Sequence, residues 1–286
     1  MAAAVLGSID GNATTSLAAI TVEKEPDAPL MFLSSSLATA SRAGSFVVIV
    51  RSRDEFLHWL HHPRPGAEWL QVEGLLNDED VWAAAARVPS GPPLDVIVSD
   101  PATEFAMLYR LVDVRGVRDL RVTIPVLPGL IKALRLAASL RLPVRLLPGQ
   151  PTEAALAELG EAAEFYLYNP AVEAPIEFFH SLFAAMGGAD TGSLWSILEQ
   201  EPAVFARTDA DGQAVIPRDF VAAHLQNLIR QDAECADCKW QSWCAGYFKH
   251  PDPGYVCEGV KKVFSILEAA AEEMNRDLAA QEEVGA

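Results

Sequence analysis

The chain has 286 residues, half of them hydrophobic, and its 39 acidic residues outnumber its 22 lysines and arginines to give a formal charge of −17. The length suffices for one large domain, or for one domain with a small module. The acidic excess argues against binding to nucleic-acid backbones and to anionic membrane surfaces, which both require clustered basic residues. No apolar run approaches the length of a membrane span. These features predict a soluble, cytoplasmic protein.

The N-terminal part of the chain carries little periodic pattern. Its first 29 residues are rich in Ala, Gly, Ser and Thr. This composition predicts a flexible N-terminal segment over 1–44, with one short strand at 18–22. Regular structure is expected to begin near residue 45.

From Phe46 onward, short β-branched runs alternate with amphipathic stretches. Strands are predicted at 46–50, 69–73, 94–99, 119–123, 143–147 and 164–168. Helices are predicted at 54–61, 78–87, 102–112, 128–140, 152–159 and 175–186. Six consecutive strand–helix units imply a parallel sheet with right-handed crossovers, either open or closed into a partial barrel.

The regular alternation of strands and helices ends in the last third of the chain, residues 188–286. A short helix at 194–199 precedes two runs, 203–207 and 213–216, that flank a glycine-containing turn and predict a hairpin. A helix follows at 218–231. After Cys257 a single amphipathic helix is predicted to run to about residue 281.

All four cysteines of the chain lie between these last two helices. Cys235, Cys238, Cys244 and Cys257 follow the pattern C-x2-C-x5-C-x12-C. Thiolates bind soft metals, and four of them close a tetrahedral or cubane site. Three close cysteines with one remote cysteine favour a [4Fe–4S] cluster. Zinc is the alternative, although zinc ribbons more often have two facing C-x2-C knuckles, and disulfides are the least favoured interpretation.

Aromatic residues alternate with the cysteines. Such rings keep water away from a cluster, and they also suit the core of a small module. The turn-forming sequence Pro-Asp-Pro-Gly at 251–254 returns Cys257 to the other three cysteines, and Cys257 then begins a helix. The rings are Trp240, Trp243, Tyr247, Phe248 and Tyr255.

This cysteine segment resembles the C-terminal auxiliary-cluster module of radical SAM enzymes, the SPASM or twitch domain. Cys235, Cys238 and Cys244 match that module's C-x2-C-x5-C triplet, and Cys257 matches the later ligand. The family often has a further cysteine four residues after the triplet, where this chain has Phe248. The resemblance therefore implies at most one auxiliary cluster.

The resemblance also implies the architecture: an α/β fold with a partial (βα)6 barrel over 45–187, followed by a small α+β cluster module with the C-terminal helix over 188–286. The sequence QVEGLL at 71–76 is similar to the family's GGEPLL segment, whose backbone contacts the methionine end of SAM, and Glu73 matches the family's Glu. The C-x3-C-x2-C motif that follows the first barrel strand in the family is absent, since residues 51–54 read RSRD. The chain therefore resembles a degenerate relative that does not cleave SAM.

Other chemical signals are sparse. His58, His61 and His62 cluster before Pro63 and are interpreted as a surface helix end. No nucleotide-binding loop or nucleophile elbow is present, and no catalytic residue is predicted. The carboxylates expected near the carboxyl ends of strands, interpreted as caps and loop charges, are Glu73, Asp100 and Glu104.

The function implied by the resemblance is that of a non-catalytic iron–sulfur partner, which holds substrate or transfers electrons for a separate catalytic subunit in peptide or protein modification. A protein partner is expected at a surface formed by Trp240, Trp243, Tyr247 or Tyr255. Two alternatives stay open. One is a self-contained binding protein with a structural Zn(Cys)4 site, and the other is an enzyme of another class that uses the barrel mouth.

Overall fold

The computed structural model describes residues 28–41, 44–231 and 233–285. The chain has an α/β fold built on eight parallel strands that form one curled, half-barrel sheet. The strand predicted at 18–22 lies outside the described residues. In the described part of the chain, no helix is long and apolar enough to cross a membrane.

The strands are β1 (Leu30–Ser34), β2 (Phe46–Val50), β3 (Ala67–Glu73), β4 (Leu94–Ile97), β5 (Leu120–Pro125), β6 (Val144–Leu147), β7 (Ile176–Glu177) and β8 (Phe205–Arg207). Their order across the sheet is β7-β6-β5-β4-β3-β2-β1-β8. The helices up to the end of the sheet are α1 (Ser35–Ala40), α2 (Arg53–His61), α3 (Glu79–Ala85), α4 (Pro101–Glu104), α5 (Val112–Arg115), α6 (Leu130–Ser139), α7 (Glu153–Tyr168) and α8 (Phe179–Met186). The later helices are α9 (Leu194–Ile197), α10 (Phe220–Arg230), α11 (Gln241–Cys244) and α12 (Glu258–Gly285).

Five of the six predicted strands are confirmed, and β2 has the predicted bounds. The sixth prediction, at 164–168, is wrong, because these residues form the last turn of α7. The aromatic run there favours a strand locally, but a buried stripe of alanine and leucine keeps the helix docked through its earlier turns. The sixth strand of the series is instead β7, which lies inside the helix predicted at 175–186.

Sequence analysis missed β1 and α1, which both lie within the segment predicted to be flexible. β1 is paired on both sides, with β2 and with β8. The predicted hairpin is also different from expectation: β8 pairs with β1 in parallel, and the return strand is reduced to one antiparallel bridge between Thr208 and Ala214. Both differences arise because pairing with a strand remote in sequence decides the outcome.

One face of the sheet is covered by helices and contains the main hydrophobic core. Alternate strand residues such as Val48, Val72, Val96 and Val122 point into it. Helix α12 packs against α7 and α8, and its residue Phe264 belongs to the same core. Residues on both sides of the predicted 187/188 boundary therefore share one continuous core.

Candidate metal centre

The four cysteines line a single pocket beside the start of α12. Cys235 and Cys238 lie in the loop before α11, Cys244 is the last residue of α11, and Cys257 immediately precedes α12. All four are free thiols, and all four line the same pocket, whose empty space including its mouth is about 390 Å³. The four residues predicted as ligands are thus neighbours in the folded chain.

Tight turns bend the chain around the first three cysteines. The amide of Cys238 donates to the carbonyl of Cys235 at 3.3 Å, and the amide of Gln241 donates to the carbonyl of Cys238 at 2.9 Å. After Cys244 the chain reverses through two left-handed residues, Ala245 and Gly246. A side chain at Gly246 would meet Leu228 of α10, since a Cβ atom would lie 2.8 Å from the Leu228 Cδ1. The backbone at Gly246 is left-handed, with φ of 73°, and this conformation favours glycine.

The fourth cysteine is brought back by a turn that is anchored to the loop after β6. The side-chain amide of Gln150 donates to the carbonyl oxygens of Phe248, at 3.0 Å, and of Asp252, at 2.8 Å. The hydroxyl of Tyr255 donates to the carbonyl of Pro151 at 2.9 Å. The turn predicted at 251–254 is present, and these bonds fix it against the sheet.

A charged triad lies at the wall of the cysteine pocket. The carboxylate of Glu234 accepts the backbone N–H of Cys257 at 3.1 Å and lies 2.8 Å from the Lys249 Nζ and 2.6 Å from the Lys261 Nζ. Burial alone would raise the pKa of Glu234, but the two lysines and the Cys257 amide lower it to about 2. Glu234 is therefore ionised at neutral pH.

Burial raises the pKa of three thiols in the pocket. The pKa of Cys244 rises to about 11 and that of Cys257 to about 12, and the pKa of Cys235 is also raised. At Cys244 the effect is moderated by backbone N–H groups of Phe248 and Tyr247, which donate to the sulfur. Without a metal these three thiols hold their protons at neutral pH, so metal binding must displace protons.

The aromatic rings around the cysteines divide into two groups. Trp240, Tyr247 and Phe248 are buried, and Trp240 packs edge-on against Phe264 of α12 with ring centroids 5.6 Å apart. The C-terminal helix and the core therefore cover Trp240 and Tyr247, two of the four rings considered for a partner surface. Only Trp243 and Tyr255 are partly exposed. The buried indole N–H of Trp240 has no hydrogen-bond partner among the described residues.

The donor set is that of a soft-metal site. Four thiols line the pocket, and its other potential ligand, Glu234, is engaged by two lysines. Iron–sulfur clusters and zinc both use such thiol sets. Within the described ranges, no three His, Cys, Asp or Glu side chains converge closely enough to hold one metal ion. The residues thus supply the donors for a metal without forming a closed coordination sphere in this conformation.

The other residues singled out in the sequence have structural partners. Glu73 accepts from the side-chain amide of Gln71 at 2.5 Å and is ion-paired with Arg51 at 2.8 Å. Asp100 caps α4, and Glu104 accepts the amide of Ser99 at 2.7 Å, so both are confirmed as cap and loop charges. The prediction of an exposed histidine-rich helix end is confirmed, since exposed histidines lie in the last turn of α2 and directly after it. They are His58, His61 and His62.

A second polar constellation was missed by the sequence analysis. It lies on the sheet face opposite the main core, and we call it the buried charge network. The carboxylate of Asp95 accepts from Arg145 at 2.7 Å and from Arg121 at 3.0 Å, and Glu199 binds the same two arginines. The available signal was the pattern of one charge between two apolar residues in three successive strands. The members of the network are Asp95, Arg121, Thr123, Arg145 and Glu199.

Comparison with known proteins assigns no relatives to this chain. No protein-family model, no curated protein and no solved structure matches it. A function must therefore be proposed from the chemistry of the cysteine pocket.

Proposed function

We propose that the chain binds one [4Fe–4S] cluster through Cys235, Cys238, Cys244 and Cys257. The observation that carries the proposal is that four free thiols, held on separate turns and helix ends, line one pocket. These are all the cysteines of the chain.

A structural Zn(Cys)4 site is the alternative occupant of the same thiols. The cluster is favoured because three cysteines lie close in sequence and the fourth is remote, which is the usual arrangement of iron–sulfur ligands. Apolar and aromatic residues, including Phe248, Val260 and Phe264, line the same pocket and would limit access of water to sulfide.

We also propose that the fold is a degenerate version of the radical SAM architecture. Strands β2–β7 and the helices that follow them would correspond to the partial (βα)6 barrel, and 188–286 to the SPASM or twitch-type module. The order of six strand–helix units followed by the cysteine segment supports this correspondence. Strands β1 and β8, which extend the sheet beyond β2, are additions to that plan.

The proposed role is that of an accessory subunit, not a catalyst by itself, which assists a separate enzyme that modifies a peptide or protein. The loop after β2, where the family binds its catalytic cluster, has no cysteine and is occupied by a capping box between Ser52 and Glu55. A bound cluster would supply electron transfer or a rigid substrate-holding surface. Free thiols and a cluster suit a reducing compartment, so a cytoplasmic location forms part of the proposal.

Metal analysis of protein purified without oxygen tests the proposal. The chain is expected to be brown, to absorb broadly at about 400 nm and to contain about four irons and four sulfides. A Cys244→Ala variant serves as the control and is expected to lose both the colour and the iron. If protein from iron-replete anaerobic cells contains stoichiometric zinc and no sulfide, the cluster proposal is wrong and the site is a structural zinc site.

A further inference from the structure

Glu234 occupies a special position next to the cysteine pocket. It precedes the first predicted ligand, Cys235, and its carboxylate accepts the backbone N–H of the last one, Cys257, at 3.1 Å. The two residues are 23 positions apart. This contact ties the remote cysteine directly to the triplet.

The same carboxylate also holds two lysines from the other segments of the site. Lys249 ends the short 3-10 helix after Cys244, and Lys261 lies in the first turn of α12. Lys249 is buried, with 7% of its side chain exposed, and it donates to the carbonyl of Tyr255 as well. Glu234 therefore joins the start of the cysteine triplet to the segment that follows Cys244 and to the first turn of α12.

A metal site assembled from distant residues has an entropic cost, because the intervening loop must close before the ligands meet. Contacts that close the loop in the metal-free chain remove this cost from metal binding. We infer that Glu234 is a positioning residue of the proposed cluster, whose carboxylate holds Cys257 at the pocket before the cluster is present. The inference rests on the proposed function for the identity of the bound group, but the closed loop is a property of the chain itself.

Thiol alkylation of the metal-free chain, followed residue by residue by mass spectrometry, measures this closure. In Glu234→Ala we expect Cys257 to react at least about tenfold faster than in the wild type, since a hydrogen bond to a charged group is lost. The half-buried Cys238 serves as the internal reference and is expected to react at an unchanged rate. After cluster loading, Glu234→Ala is expected to release iron to a chelator about tenfold faster.

Two further variants separate position from charge. Glu234→Gln removes the charge but keeps an oxygen that can accept the Cys257 N–H, so Cys257 is expected to react within about threefold of the wild-type rate. Glu258→Gln removes one charge from the residue after Cys257, where Glu258 pairs with the exposed Lys262, and no change is expected. If Glu234→Ala does not fold, Glu234→Asp takes its place. Its carboxylate is too short to reach all three donors, and Cys257 should react faster than in Glu234→Gln.

The outcomes are distinct. Equal reactivity of Cys257 in the wild type and in a folded Glu234→Ala variant overturns the inference, and so does a Glu234→Gln variant as reactive as Glu234→Ala. If the wild-type chain binds no iron, the proposed function fails while alkylation still decides the role of Glu234. If iron binds normally and alkylation is unchanged, only the inference about Glu234 fails.

Discussion

The Asp95 carboxylate lies 2.7 Å from the Arg145 guanidinium on the non-core face of the sheet, and only 1% and 2% of the two side chains are exposed. Their strands, β4 and β6, are separated by β5, whose Thr123 hydroxyl donates to Asp95 at 2.5 Å. Glu199, from the segment after α9, binds the same arginine. The ion pair thus joins three strands to a segment that follows the whole strand–helix series.

Replacing Asp95 by Asn should lower the free energy of unfolding by about 3 kcal/mol, because two buried guanidinium groups lose a charged partner. The matched control is Glu161→Gln, which breaks the half-exposed ion pair between Arg135 and Glu161 and should cost less than about 1 kcal/mol. Urea unfolding measures both values. Equal effects in the two variants would contradict the structural role of the buried charge network.

The stability of the chain should fall as the pH is lowered below about 4. Burial raises the pKa of Asp95, but Arg145 and Arg121 outweigh it and hold the pKa below its usual value; the same balance lowers the pKa of Glu199. A carboxylate with a lowered folded-state pKa stabilises the fold above its unfolded pKa and loses this contribution as the pH falls through the folded value. Urea midpoints measured from pH 7 to pH 3 should therefore decrease, and Asp95→Asn should show a weaker decrease. If the urea midpoints of the two proteins decrease in parallel, Asp95 does not contribute to the pH dependence of stability.

Removing one proposed ligand should remove the metal and lower stability. We expect Cys238→Ala to lose its iron and to unfold at a lower temperature than the loaded wild type, since metal binding is coupled to folding. Ser242→Ala, an exposed position of α11, is the control and should keep its metal. Iron analysis and thermal unfolding supply the measurements. Full metal content in single alanine variants of all four cysteines would show that the ligand assignment is wrong.

The purified chain should not cleave SAM to 5′-deoxyadenosine. The residues after β2 offer no thiol for a cluster with an open iron, and Arg51 and Arg53 there are ion-paired with Glu73 and Asp78. The assay is chromatographic detection of 5′-deoxyadenosine under reducing, anaerobic conditions. Product formed faster than in a Cys244→Ala variant and a protein-free sample would refute the proposed loss of SAM chemistry.

A catalytic partner should bind beside the cysteine segment through Trp243, one of the two half-buried rings there. Trp243→Ala is expected to keep its metal and to lose most of the partner recovered with the wild-type chain from its native host under anaerobic conditions. Tyr109→Ala, which removes a ring that is 62% exposed far from the cysteines in sequence, should recover the partner normally. Recovery of the same modifying enzyme by both variants would exclude Trp243 as the contact.

The residues of the candidate site could be selected from local sequence. The contacts that hold those residues together in the fold could not be predicted from it. Spacing alone selected Cys235, Cys238, Cys244 and Cys257, because ligand type and separation follow from metal chemistry. The roles of Glu234 and Gln150 could not be read in this way. Both act on backbone groups of residues distant in sequence, and such contacts exist only after the loops have closed.

The sequence by itself determined five strands of the sheet, the helices between them and the set of thiols, since hydrophobic period and cysteine spacing act within a few residues. Only the tertiary structure decided that 164–168 is helical, that Leu30–Ser34 enters the sheet, and that Phe205–Arg207 pairs with it in parallel. It also brought Glu199 to Arg145 across 54 positions of the chain. Strand pairing and buried ion pairs depend on neighbours remote in sequence, and local propensity carries no information about those neighbours.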